Sequence, residues 1–485
     1  MKTAMKSFKQ IDMHMKKLLA LVIIAFSLAA CHKDLGDYEI NMPIAPEVTN
    51  LDSAYSAVVG DSLIINPGVK GSANADLELT WRISVMTGND VNFVGPVLKI
   101  IFGLQAERYS ALLTVHNKTN GMKYYHKFNI QGATEFATGT SVLSLENGTT
   151  QFSFIKPDGT LQARLYKALH GKDLPANPLN LFLMKNRNTG GTVLGYFIIS
   201  KNGGVRLQAN TMMEDEKYPS TLKDNFFTTP DDLEVGSLIL HHQGVMMGTV
   251  NGKFYGGTTS TWDQAPTYGM FGLPAEGEYD LAPSFVMAET GPGTYFVVFD
   301  KNKKQFQRIN LYGSPAYFGN QYSVSSTGIF DPMNVGMELI QLIQINNSDC
   351  FAYMKNTDGK IYELKFTVQF TGPFTFTPQH KREFIRQDLI AADTKWQAAK
   401  NGLVYIASAG KVVRYNPINQ EVRELATSFG GKAITMLKLS EDESTLMVGN
   451  EGTIWFTNIT TGENGSFIKK IEGIPGSPVD MTIRQ

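Results

Sequence analysis

Gly410-Lys411-Val412-Val413, followed at once by Tyr415-Asn416, reads as a glycine turn that feeds an apolar strand. A two-residue hairpin needs positive φ, which glycine supplies without steric cost. The same unit recurs at Gly159, Gly204, Gly252, Gly293, Gly359 and Gly452, each glycine followed by an apolar stretch. The spacings between these seven glycines, in chain order, are 45, 48, 41, 66, 51 and 42 residues. A four-stranded propeller blade takes about 40–50 residues, so residues 138–485 are expected to form a β-propeller of seven blades.

A second register supports the first. Phe299-Asp300 is followed by Phe306 and Ile309, and Tyr415-Asn416 by Val422 and Leu425, the same steps from an aromatic in both places. The expectation is a strand, a turn and an outer strand with these side chains facing inward. No long amphipathic helical stripe interrupts the region, which excludes an α/β fold. The last strand, Val479-Asp480-Met481-Thr482-Ile483, has no blade after it. It is expected to pair with Ser141-Val142-Leu143-Ser144-Leu145 and close the ring, with Val479, Met481 and Ile483 on one face.

Upstream, residues 46–133 carry short alternating stretches: Ser62–Ile65, Leu77–Ile83, Ala111–Val115 and Tyr124–Ile130. Strands of this length, separated by turn residues, suit one small β-sandwich with Trp81 as its core anchor. The composition agrees with an all-β chain: 42% hydrophobic, 11% aromatic, and 45 glycines among 485 residues. Charged residues, at 18%, are too sparse and too well balanced for a nucleic-acid footprint.

The first thirty-one residues read as an address. Lys16-Lys17 precede the apolar run Leu18–Phe26, and Leu28-Ala29-Ala30-Cys31 follows. This is the pattern of a secretory signal, too short to span a bilayer comfortably. Leu28-Ala29-Ala30-Cys31 resembles the bacterial lipobox, which implies acylation of Cys31 and removal of residues 1–30. That removal takes five lysines and Asp12, so 39 basic and 44 acidic side chains remain, a net of −5. A mildly acidic body is not drawn to anionic lipid, so attachment would come from the acyl chains. Residues 31–45, polar and without period, read as a tether. The other cysteine, Cys350, lies in Cys350-Phe351-Ala352-Tyr353 and reads as a buried core thiol.

The lipobox, Lys33-Asp34-Leu35-Gly36-Asp37-Tyr38, the sandwich with Leu79-Thr80-Trp81 and the propeller-like remainder together resemble the PKD-like family of Bacteroidota surface lipoproteins. The resemblance implies an Ig/PKD-like sandwich on a lipoprotein of the outer membrane, exposed at the cell surface. It also implies a locus with a TonB-dependent transporter of SusC type and its SusD-type lid. No catalytic residue comes with the family.

The search for chemistry is largely negative. His241-His242 on a strand would point to opposite faces, so the pair is not expected to chelate a metal. No zincin, Cys-x-x-Cys, nucleophile-elbow or phosphate-loop motif occurs, and no cofactor is implied. Asp263, Asp280, Asp331 and Asp393 are the acids nearest presumed inter-strand loops, where turn or cap roles dominate. The positive signal is aromatic. Trp262 and Tyr268 lie in one Gly/Pro/Thr-rich stretch, and Tyr317, Phe318 and Tyr322 in a second that fills the 66-residue spacing. As face loops these five would form a platform for sugar rings or an extended peptide; the competing reading folds them down onto their own blades. Two functional classes follow. The first is a non-catalytic lipoprotein that binds glycan or peptide nutrient, or docks on a transporter. The second is a propeller-fold polysaccharide hydrolase or lyase.

Overall fold

A computed structural model describes residues 43–85, 89–186, 192–241, 244–258, 266–288, 294–312 and 314–485. Its N-terminal part is a sandwich built from a five-stranded sheet and two strand pairs. The large sheet runs Ala54–Val58, Met122–Ala133, Arg108–Asn117, Leu77–Ser84, Val91–Val94 in spatial order. Strict alternation along Leu77–Ser84 sends Leu79, Trp81 and Ile83 inward. Trp81 is the anchor the sequence suggested: its Nε1–H donates to Gly95 O at 2.8 Å and its ring meets Phe128 edge-on.

Seven sheets follow among the described residues, spanning 139–162, 178–207, 235–256, 281–319, 323–383, 395–424 and 434–472, and termed sheets I to VII. Each neighbouring pair shares its own apolar cluster. Phe152 and Tyr196 lie between I and II, Ile199 and Leu238 between II and III, and Phe254 and Phe296 between III and IV. Phe306 and Phe376 lie between IV and V, Tyr353 and Ile406 between V and VI, and Ala407 and Val448 between VI and VII. The seventh cluster, Val142, Met447 and Met481, joins VII back to I. The arrangement is propeller-like. Covered on both faces, middle strands such as Met246–Val250 are buried at every position and read as continuous apolar runs rather than alternating ones.

The turn between the strands flanking residue 251 has Asn251 at φ 51° and Gly252 at φ 67°, and Ala409-Gly410 repeats it at 49° and 77°. Two successive positive φ values define the hairpin turn whose twist matches its strands. Gly359 and Gly452 occupy the corresponding turns, but three of the aligned glycines do not. In sheet I that turn is Asn147-Gly148, and Gly159 lies one turn further out. Gly204 lies within the strand Gly203–Leu207, where a Cβ would meet Ile198 O at 2.7 Å. Gly293 falls outside the described residues. In sheet IV the corresponding turn is residues 301–304, so the 66-residue spacing reflects misalignment, not an insertion.

The step of seven pairs residues as expected, Phe299 opposite Phe306 and Tyr415 opposite Val422. The step of ten does not share that face. Phe306 packs toward sheet V and Ile309 toward sheet III, because three residues along a strand reverses the side.

The strand Ser477–Arg484 joins sheet I beside Gly139–Glu146, with Val142 opposite Met481. A bulge at Val479, where the register shifts between Leu143 and Ser144, breaks the expected common face. Met481 is fully buried, but Ile483 is 39% exposed and the buried neighbours are Pro478 and Asp480.

Candidate functional site

The innermost strand of each sheet touches the innermost strands of the sheets on both sides. Where those of sheets II, VII and I end, near Lys185, Leu439 and Ile483, they border an open cavity of about 550 Å³. A volume of that size suits a small ligand. Its lining is mixed, with Lys185 from sheet II, Lys438, Glu441 and Asp442 from sheet VII and Thr482 from sheet I beside the apolar Leu439, Met447, Met481 and Ile483.

Two of these charges are already engaged. Lys438 Nζ lies 2.6 Å from Asp480 Oδ1 and also donates to Met481 O. Asp480 is itself held by Leu181 N–H at 2.8 Å, so one carboxylate joins the innermost strands of sheets I, II and VII. Asp442 sits in the hairpin that reverses the chain after Leu439. The Ser440 hydroxyl donates to it at 2.5 Å, and the Ser444 hydroxyl at 2.8 and 2.9 Å. Foremost the Ser440 hydroxyl, then the Ser444 amide and hydroxyl, hold its carboxyl down to about 2. A carboxylate so acidic is a fixed charge near neutral pH and a poor proton carrier. Lys185 and Glu441 form no ion pair among the described residues.

Of the aromatic residues singled out by sequence, the four described ones do not form one platform. Trp262, with Asp263, lies outside the described residues. Tyr268 is 2% exposed and packs with Tyr218 and Val245. Tyr317 and Phe318 belong to Ser314–Gly319, the outer strand of sheet IV, so the second stretch is sheet and not a face loop. The Arg308 guanidinium covers the Phe318 ring at 4.7 Å. Tyr322 donates its hydroxyl to Phe306 O at 2.9 Å, and burial raises its pKa. These side chains cover sheets, the competing reading of the sequence.

The acids follow their turn roles: Asp280 pairs with Lys301 at 3.0 Å, and Asp331 accepts from Met333 N–H at 2.9 Å. Asp393 is exposed in a turn. His242 is outside the described residues. Among those described, no three His, Cys, Asp or Glu side chains are grouped closely enough to hold a metal ion. Cys350 is buried in the cluster between sheets IV and V.

With the sandwich and the cavity located, comparison places the first part of the chain. Residues 31–178 match the PKD-like family. The match thus covers the sandwich and the strands Gly139–Glu146, Thr149–Ile155 and Leu161–Gln162 of sheet I, under a third of the sequence. No curated protein matches the chain. Among solved structures, a quinonprotein alcohol dehydrogenase-like protein from Bacteroides thetaiotaomicron is 13% identical, with a TM-score of 0.38, covering 91% of this chain and 99% of its own. A functionally unknown protein from Desulfotomaculum acetoxidans is 10% identical at a TM-score of 0.41, covering 71% of this chain and 98% of its own. An auxiliary nutrient binding protein from Bacteroides thetaiotaomicron is 10% identical at 0.26, covering 91% and 92%. None of these supplies a residue role.

Beyond the PKD-like region, Tyr317 offers a direct test of the cover reading. Its ring stacks on Tyr279 at 4.6 Å and lies against Gly277, where a Cβ would come within 2.5 Å of the ring. Tyr317→Ala should lower the melting temperature by several degrees through lost burial, about 2–4 kcal/mol, and leave any ligand affinity per folded molecule unchanged. Calorimetry and titration on the same variant check both halves.

Proposed function

We propose that the chain is a non-catalytic lipoprotein of the outer membrane, anchored through Cys31 and exposed at the cell surface. In this reading it is accessory to a TonB-dependent uptake system of SusC/SusD type and binds nutrient, glycan or peptide, or docks on the transporter. Residues 1–30 are the signal, 31–45 the tether, 46–133 the sandwich and 138–485 a closed seven-bladed propeller. The seven inter-sheet clusters, the last of them joining sheets VII and I, support the blade count. The Leu28-Ala29-Ala30-Cys31 sequence supports the anchor.

The observation that carries the binding reading is the axial cavity. It is large enough for a ligand and lined by both polar and apolar groups, and its Asp442 carboxylate is clasped by hydroxyls instead of being poised to exchange a proton. The test has two parts. Cells fed a palmitate analogue should label the wild type, and Cys31→Ala should leave the membrane fraction. The released protein, probed on a glycan and peptide array, should give hits without cleavage products. Product release would support the hydrolase class, and an unlabelled wild type with a membrane-bound variant would remove the anchor.

A further inference from the structure

Apart from Lys438, which is paired with Asp480, the charged side chains named above divide between two walls of the axial cavity. Lys185 belongs to sheet II, while Glu441 and Asp442 belong to sheet VII. These two sheets flank sheet I, whose strand Ser477–Arg484 lines the cavity between them. Lys185 therefore shares a space of about 550 Å³ with two anions.

Opposite charges on flexible stems ordinarily close into ion pairs when they can reach one another. Here Lys438 has done so with Asp480, whereas Lys185 pairs with neither Glu441 nor Asp442 among the described residues. The Ser440 and Ser444 hydroxyls fix Asp442 in place, and its carboxyl stays ionised at every pH in which the protein would work. What remains is a cation on the sheet II side and two anions on the sheet VII side, all three exposed to solvent, with a field that salt screens.

A neutral sugar entering that field displaces water from three charges and returns only dipolar hydrogen bonds, an unfavourable exchange. A molecule with an ammonium at one end and a carboxylate at the other meets both walls with charge-assisted hydrogen bonds. We infer that the cavity takes a zwitterion, a short peptide with both ends free, its carboxylate on Lys185 and its ammonium on Glu441 and Asp442. This rests on the cavity being the ligand site, and it chooses between the two nutrient classes left open above.

The experiment is isothermal titration of the mature chain with trialanine, with N-acetyl-trialanine amide, and with maltotriose as a neutral sugar. Trialanine should bind, with the blocked peptide and the sugar at least about ten-fold weaker, the loss expected for one charge-assisted contact. Lys185→Gln and Glu441→Gln, both exposed positions, should each weaken trialanine about ten-fold, leave the melting temperature unchanged and reduce the salt dependence. Equal binding of free and blocked peptide would overturn the zwitterion, and trialanine binding indifferent to Lys185→Gln would overturn the location. Maltotriose binding alone would overturn the ligand class and leave the binding function standing. No heat from any of the three would count against both.

Discussion

Glu363→Ala should destabilise the protein by about 3–5 kcal/mol, out of a total that for most proteins is only about 5–15 kcal/mol. Glu363 is fully buried between sheets V and VI. Its Oε1 accepts from Arg382 Nε at 2.9 Å and Nη2 at 2.6 Å, with His380 Nε2 at 2.9 Å. Its Oε2 accepts from Tyr415 O–H at 2.6 Å and Tyr353 O–H at 3.2 Å. Burial first, and then the neighbouring carboxylate, raise the pKa of both tyrosines, so they stay donors. Arg382 also reaches Pro417 O, so the network bridges the two sheets. A buried ion pair is not necessarily better than an apolar pair of equal volume, but removing one member strands the other in a poor solvent. Alanine leaves the guanidinium and two hydroxyls without their acceptor. Glu363→Gln keeps the shape and one acceptor, and should cost less. Urea unfolding of both variants tests the ordering; an alanine variant as stable as wild type would show that the network contributes nothing.

Deleting residues 478–485 should have the larger effect and leave no cooperatively folded protein. The lost strand supplies the hydrogen bonds opposite Gly139–Leu145 and the fully buried Met481, worth about 1.5–3 kcal/mol alone. It also supplies Arg484, whose guanidinium donates to Phe136 O at 3.0 Å, Ala209 O at 2.6 Å and Asn210 Oδ1 at 3.0 Å. Removing it exposes the edge of Gly139–Glu146, open to pairing with another chain. Asp480→Ala is the finer probe. It leaves Lys438 without its partner and the Leu181 amide without an acceptor, a loss of about 3 kcal/mol. A truncated chain that melts as the wild type does would show that the strand closes nothing.

Strand-forming segments were legible because alternation and turn glycines are local. Leu77–Ile83 is a strand with Trp81 in its core, and Gly252, Gly410 and Gly452 sit in equivalent turns. The pairing of Ser477–Arg484 with Gly139–Glu146 was also legible, since an unmatched strand must find an edge. Register within the repeat was harder. Glycine also fills positions of close packing, as Gly204 does, so glycine alone does not mark a turn. The aromatic stretches misled for a related reason. A sheet covered on both faces needs large apolar side chains on each, so Tyr268 and Tyr322 are filling material that resembles a platform in one dimension. Lys185, Glu441 and Asp442 gave no signal at all. Ser440-Glu441-Asp442 reads as an ordinary polar hairpin, and Lys185 lies 256 residues before Glu441. Only the cyclic order of sheets II, I and VII brings them to one space.

The tie between Arg484 and Phe136, which are 348 residues apart, also sets a timetable for folding. Contacts of such separation form late, because the intervening chain must be organised before they are rewarded. The strand Gly139–Glu146 leaves the ribosome before the other sheets, and its inner neighbour Ser477–Arg484 follows only after more than 300 further residues. Throughout that interval its inner edge has no native partner and invites a wrong one. Refolding should accordingly be slow and concentration-sensitive, and any factor that shields the waiting edge would raise the yield without touching the final stability.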